Sequence, residues 1–265
     1  MFVLANGAFK SGSTWLHTIL KETGAFEKLP SEFCMDPTIS RHWLKPERVE
    51  AFLDSGVYHH ANYLAKGHHF EKGVRELFLS HDDVYVLNIK RDLKDSLVAH
   101  FYHLIRQGKL SEDLARPERR RQGFTDYYWR LGRFKAQQII TYHRVWDAPS
   151  PRVYVSSFER LKTDFEGEVE QVGHFIGLDF SPEEVSTLQD KTRLETLQKS
   201  RGQDDLPEHK RFFRKGLVGE WESHFDDQTL ADVGKIEAQG LGKLDMLRYQ
   251  AIFGTLGLRR RWLGR

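Results

Sequence analysis

Cysteine, a charge excess and long apolar runs are what this chain lacks. A single cysteine among 265 residues, Cys34, excludes an internal disulfide and fits a reducing compartment. No apolar run approaches the about 18 residues that a membrane-spanning helix needs. The apolar stretch within Met1–Lys10 is too short for the core of a secretion signal, and no basic segment precedes it. A cytoplasmic protein with no membrane span is therefore expected. Lysine and arginine total 40 against 38 acidic residues, a net charge of +2, so no overall field draws nucleic acid. Attraction for an anionic ligand must come from local clusters.

What is present is ordinary globular composition, with 39% apolar and 29% charged residues, and no internal repeat. The length suits one α/β domain spanning residues 1–265. Phe2–Ala5 is a short buried-strand pattern ending at Asn6-Gly7, followed by helical spacing of Trp15, Leu16, Ile19 and Leu20 with Gly24 at the C-cap position. Val84–Ile89 predicts a second strand, and Leu97, Val98, Phe101 and Ile105 a helix behind it. Arg152–Ser157 predicts a third, followed by a helix with Val169, Val172, Phe175 and Ile176 on one face and Gly177 at its end. Strands separated by helices imply a mostly parallel sheet of about five strands flanked by helices, with ligands at the strands' carboxyl ends. Residues 108–123, with Arg116, Arg119, Arg120 and Arg121, read as an exposed insertion, and Arg259–Arg265 as a solvated helix end.

The most informative segment is Gly7-Ala8-Phe9-Lys10-Ser11-Gly12-Ser13-Thr14-Trp15, between the first strand and the first helix. Glycines permit close backbone approach, the helix start offers unpaired N–H groups, and Ser11, Ser13 and Thr14 add hydroxyls. This is an anion cradle. It differs from the nucleoside-triphosphate loop, which needs lysine directly after its second glycine. Here Ser13 follows Gly12 and the lysine sits inside the loop at Lys10. That arrangement favours a shorter anionic chain and no metal. Arg91-Asp92-Leu93-Lys94-Asp95 puts an arginine at the carboxyl end of the second strand, where it can grip a phosphate, with Asp92 placed to cap the helix and orient the arginine. Arg214 and Lys215 beside Gly216 offer a second clamp.

Together these segments resemble the PAPS-dependent sulfotransferases, which share a P-loop-like fold. Lys10–Trp15 is similar to that family's P-K-S-G-T-T-W loop, with Phe9 for the proline and Ser13 for the first threonine. The resemblance implies that Lys10, Ser11, Gly12, Ser13 and Thr14 hold the 5′-phosphate and that Trp15 lies against adenine. Arg91 matches the arginine of R-D-P-x-D, which binds the 3′-phosphate. The family's accompanying serine is replaced here by Ala99, which puts tight 3′-phosphate binding in doubt. Phe212-Phe213-Arg214-Lys215-Gly216 and the residues to Trp221 resemble the R-K-G-x-x-G-D-W loop on the same side of the nucleotide. Phe158 stands where the family has a tyrosine, and Thr192 where it has an adenine-contacting threonine.

Lys66-Gly67-His68-His69 resembles the family's K-x-H segment, whose histidine is the catalytic base. The motif points to His68; counting back from Arg91 leaves His69 open. Lys10 is placed to neutralise the departing phosphate. The expected reaction moves a sulfuryl group from PAPS to a hydroxyl or amine of a small-molecule or carbohydrate acceptor. A metal-dependent P-loop kinase and a catalytically inactive nucleotide-binding relative are the alternatives. Phe33, Trp43, Tyr58, Tyr63, Phe101, Tyr102, Tyr127, Tyr128 and Trp129 are candidate pocket walls, without choosing an acceptor. The dimerisation segment of cytosolic relatives, K-x-x-x-T-V-x-x-x-E, is not matched by Glu222, Asp226, Asp227 and Ala231.

Overall fold

Alternation along the first strand decides the architecture. Phe2 and Leu4 turn to one face of the sheet and Val3 and Ala5 to the other, all of them fully buried. Both faces therefore need a covering layer, the condition of a parallel sheet sandwiched by helices. The computed structural model describes residues 1–36, 40–71, 73–249 and 251. Its strands are β1 (Phe2–Gly7), β2 (Cys34–Asp36), β3 (Ser40–Leu44), β4 (Tyr63–Gly67), β5 (Val84–Lys90) and β6 (Val153–Ser157). They form one sheet in the order β2-β3-β4-β1-β5-β6, parallel from β3 through β6. The expectation of about five strands is met by the parallel set; the sixth is the short antiparallel edge β2. The Arg259–Arg265 run lies outside the described residues.

The helices are α1 (Ser13–Glu22), α2 (Val49–Asp54), α3 (Val74–Leu79), α4 (Leu93–Arg106), α5 (Arg120–Tyr127), α6 (Arg133–Trp146), α7 (Phe158–Thr163), α8 (Phe165–Phe175), α9 (Pro182–Thr192), α10 (Leu194–Lys199), α11 (Asp227–Gln239) and α12 (Lys243–Tyr249). Helices α1, α7, α8 and α9 cover Val3, Ala5, Leu87 and Ile89 on one face. On the other, α2 to α6 and α11 cover Phe2, Leu4, Val84 and Val86. The arginine-rich insertion is exposed but ordered. Ser111 caps a helical turn at Glu112–Ala115, Asp113 pairs with Arg116 and Arg119, and Leu114 packs on the core. No helix among the described residues is long and apolar enough to cross a membrane.

Because β4 and β5 flank β1 on opposite sides, the chain's direction of travel across the sheet reverses at β1. A crevice opens beyond the carboxyl ends at such a switch point. Three of the informative loops leave the sheet there, after β1, β4 and β5. Asn6 joins two of them: its Nδ2 donates to the His69 carbonyl at 3.2 Å, and the His69 N–H donates to its Oδ1 at 3.1 Å.

Phe52 of α2 is fully buried, with its ring 4.7 Å from Phe2 and 5.3 Å from Phe33. Phe52→Ala should cost about 3–5 kcal/mol of stability, read as a lowered midpoint in urea. An unchanged midpoint would mean that α2 does not pack on the first strand as described.

Candidate active site

In the loop after β1 the backbone turns left-handed twice, at Lys10 (φ 71°) and Gly12 (φ 100°). Gly12 is required there, since a Cβ would stand 2.9 Å from the Phe158 ring as well as being strained. The Ser11 N–H is spent on the Ala8 carbonyl, and those of Trp15 and Leu16 on Gly12. The amides of Gly12, Ser13 and Thr14 are left at the start of α1 without a backbone partner, an anion-binding arrangement. Ser11 lies beneath the loop, buried, with its Oγ unpartnered.

The loop forms one wall of a cleft of about 640 Å3. Of the residues singled out in the sequence, Lys10, Gly12, Ser13, Thr14, Trp15, His68, Arg91, Thr192, Phe213, Arg214, Lys215 and Gly216 all line it, as do Ala99 and Phe158. Ser11 and His69 do not. Of the nine candidate aromatic walls, only Trp43 and Tyr102 face the cleft; the rest lie elsewhere in the fold. Among the described lining residues nine are lysine or arginine and none is aspartate or glutamate. A nearly neutral chain has gathered its positive charge in one place.

Arg91 leaves β5 with its guanidinium stacked 4.3 Å from the Phe158 ring centroid and Nη2 donating to the Leu217 carbonyl at 2.9 Å. Its Nε is buried and unpartnered. Asp92 caps α4 through the Asp95 N–H, as expected, but pairs with Lys94 and does not orient Arg91. That task falls to Phe158 and Leu217. Asp95 accepts from the N–H groups of Gly219 (2.8 Å) and Trp221 (3.0 Å), tying the glycine-rich loop to α4. Arg214 is already engaged: it pairs with Glu208 and Glu220 and stacks on Tyr102. Lys215 also bridges Glu208 and Glu220. The second clamp thus meets the cleft with much of its charge balanced. Trp15 packs edge-on to Phe158 with its Nε1 unpartnered, and the Thr192 hydroxyl donates to the Leu188 carbonyl.

His68 and His69 separate by geometry. The His69 ring is buried against Phe78, away from the cleft, and its carbonyl also accepts from Trp146 Nε1 at 2.7 Å. The His68 ring lies between Phe9 and Trp43, with Nδ1 2.6 Å from the Gly7 carbonyl. A carbonyl can only accept, so Nδ1 carries the proton and Nε2 keeps its lone pair. Burial and the charge of Lys66 push its pKa down to about 3, which keeps the imidazole neutral at physiological pH.

Lys66 received no role from the sequence, although it sits two residues before His68. Its Nζ donates to Thr14 Oγ1 and lies 4.4 Å from the Trp43 centroid. Burial, Lys10 and Arg201 lower its pKa to about 7. Burial and the charges of Arg106, Arg91 and Arg214 bring Lys10 to about 7 as well. Also missed were His103 and Arg106, although Ala99, Tyr102, His103 and Arg106 fall at the i, i+3, i+4, i+7 spacing of one helical face. Arg201 carried no sequence signal.

The chain matches the sulfotransferase domain family over residues 3–245. It is 24% identical over 243 residues to cytosolic sulfotransferase 3 of Arabidopsis thaliana, covering 88% of this chain and 74% of that protein. It is also 24% identical over 257 residues to flavonol 3-sulfotransferase of Flaveria bidentis, covering 88% and 79%. Among solved structures, a mouse sulfotransferase complexed with PAP superposes with a TM-score of 0.61 at 15% identity, covering 94% of this chain and 88% of that one. Retinol dehydratase in complex with androsterone and PAP gives 0.55 at 16%, covering 91% and 81%. With an anion cradle, a cationic cleft and a family match over nearly its whole length, the chain belongs to the sulfotransferase domain family.

Proposed function

We propose that this chain transfers a sulfuryl group from PAPS to the hydroxyl of a small acceptor. The observation that carries it is the pairing of a cationic cleft, acid-free among its described residues, with one neutral imidazole whose Nε2 is open. The cleft fits the donor nucleotide: the amides of Gly12, Ser13 and Thr14 with Lys10 meet the 5′-phosphosulfate, and Arg91 with Lys215 and Gly216 the 3′-phosphate. Trp15, Phe158 and Thr192 wall the adenine.

His68 takes the acceptor's proton at Nε2 as its oxygen attacks sulfur in line with the departing phosphate. The S–O bond to PAPS breaks and 3′,5′-ADP (PAP) leaves, its new charge met by Lys10 and Lys66. The acceptor enters from the side of Phe9 and Trp43. Its class is a hydroxylated small molecule, in keeping with the relative named for flavonol. A magnesium-dependent kinase would need carboxylates that the cleft, among its described residues, does not offer. The buried Cys34 and the relative named cytosolic support a cytoplasmic setting.

At about a hundred times its Kd, 3′,5′-ADP should stabilise the chain by about 2.7 kcal/mol, a melting shift of roughly 5–10 °C. Lys10→Ala should shrink that shift, and magnesium-ATP should not reproduce it. A shift with magnesium-ATP alone would return the loop to the kinases. His68→Ala should abolish turnover with 3′,5′-ADP binding retained, and His69→Ala should not; activity surviving in His68→Ala removes it as the base.

The two lysines give a sign to the pH dependence. In the free cleft both lose their protons near pH 7, and a bound anion pulls those protons back. Binding therefore takes up protons above pH 7, and 3′,5′-ADP affinity should fall about tenfold or more from pH 7 to pH 9. Calorimetry should show a smaller decline in Lys10→Met; affinity flat across that range would contradict the lowered values.

A further inference from the structure

The donor does not account for all of the positive charge. Arg106 closes the cleft-facing stripe of α4, and Arg201 follows α10. Both guanidiniums stand over one ring, Phe212, at 5.3 and 4.6 Å from its centroid, and Arg201 also over Phe213 at 5.1 Å. Neither forms an ion pair among the described residues. Glu208 and Glu220, the carboxylates beside the glycine-rich loop, are held by Arg214 and Lys215. Burial lowers the pKa of both arginines and no carboxylate offsets it; Arg106 adds to the effect on Arg201. Two guanidiniums kept close without an acid are a site prepared for an anion.

Their neighbour sharpens the point. Arg106 Nη2 lies 3.0 Å from His103 Nδ1. A guanidinium can only donate, so this Nδ1 is unprotonated, and the neutral ring carries its proton on Nε2. Burial, Lys10 and Arg106 hold His103 neutral, with a pKa near 3. His103 is thus the opposite tautomer of His68. Both rings contact Phe9, His68 at 5.5 Å as an acceptor and His103 at 5.1 Å as a donor. Arg106 and His103 therefore lie on the side of the base, where the acceptor enters.

We propose that Arg106, Arg201 and the Nε2–H of His103 form an anion subsite for the acceptor, selecting hydroxylated molecules that also carry a carboxylate or sulfate. This rests on the reading of the cleft as a sulfotransferase site with His68 as base. The test is calorimetry on the full chain saturated with 3′,5′-ADP. The carboxylate probes are 4-hydroxyphenylacetate and 4-hydroxycinnamate against their amides. The sulfate probe is 4-nitrocatechol sulfate against 4-nitrocatechol.

At least one anion should bind about tenfold tighter than its neutral partner, and the pair that does so names the group recognised. Arg106→Gln and Arg201→Gln should each erase that preference, with 3′,5′-ADP affinity within about twofold of wild type showing that the variants fold. Equal binding across every pair would overturn the proposal, as would a preference surviving in both variants. A parallel loss of 3′,5′-ADP affinity would make the two arginines part of the donor clamp instead. Should the wild type not bind 3′,5′-ADP, the donor reading fails by itself, and the same pairs titrated without nucleotide still decide the subsite.

Discussion

Like charges packed together without acids between them are the constraint on which this structure depends. Among the described residues nine cationic side chains line one cleft, and the fold must hold them against their mutual repulsion. It does so with contacts that leave the charge available. Arg91 and Arg201 rest on aromatic rings, as does Lys66. Asp95 accepts two backbone N–H groups and so anchors the glycine-rich loop to α4, while its charge acts on Arg91. Among the described residues of the cleft, Arg214 and Lys215 alone form ion pairs with carboxylates, Glu208 and Glu220, which flank the loop itself.

The electrostatics of the site follow from that crowding. Lysines in a partly dry, positive environment give up protons more easily, and imidazoles stay neutral. Two neutral histidines in contact with Phe9 then take opposite tautomers, because one Nδ1 meets a carbonyl and the other a guanidinium. A base and a hydrogen-bond donor arise from the same residue type. The difference lies in what each ring's first nitrogen touches.

The scaffold is as economical. One asparagine at the end of the central strand bonds both the N–H and the carbonyl of His69, which locks the loop carrying His68. Reversal of strand order at β1 brings the ends of β4 and β5 beside the phosphate loop. Ala99 lines the cleft at the position where the resemblance implies a serine.

Much of this was legible in the residues alone, for a local reason. Strand β1, its glycine-rich loop and the start of α1 are contiguous, so spacing and turn chemistry expose an anion cradle without any tertiary contact. Strands β5 and β6 were equally plain because they are rich in β-branched and aromatic residues. Strands β2 to β4 were not, being short and set among segments of mixed polarity. Adjacent histidines cannot be told apart by motif counting alone, and only the fold turns His68 to the cleft and buries His69. Arg214 looked like a free clamp until folding brought Glu220 to it. Lys66, His103, Arg106 and Arg201 come from three different segments, β4, α4 and the turn after α10, and they meet only once the fold is complete.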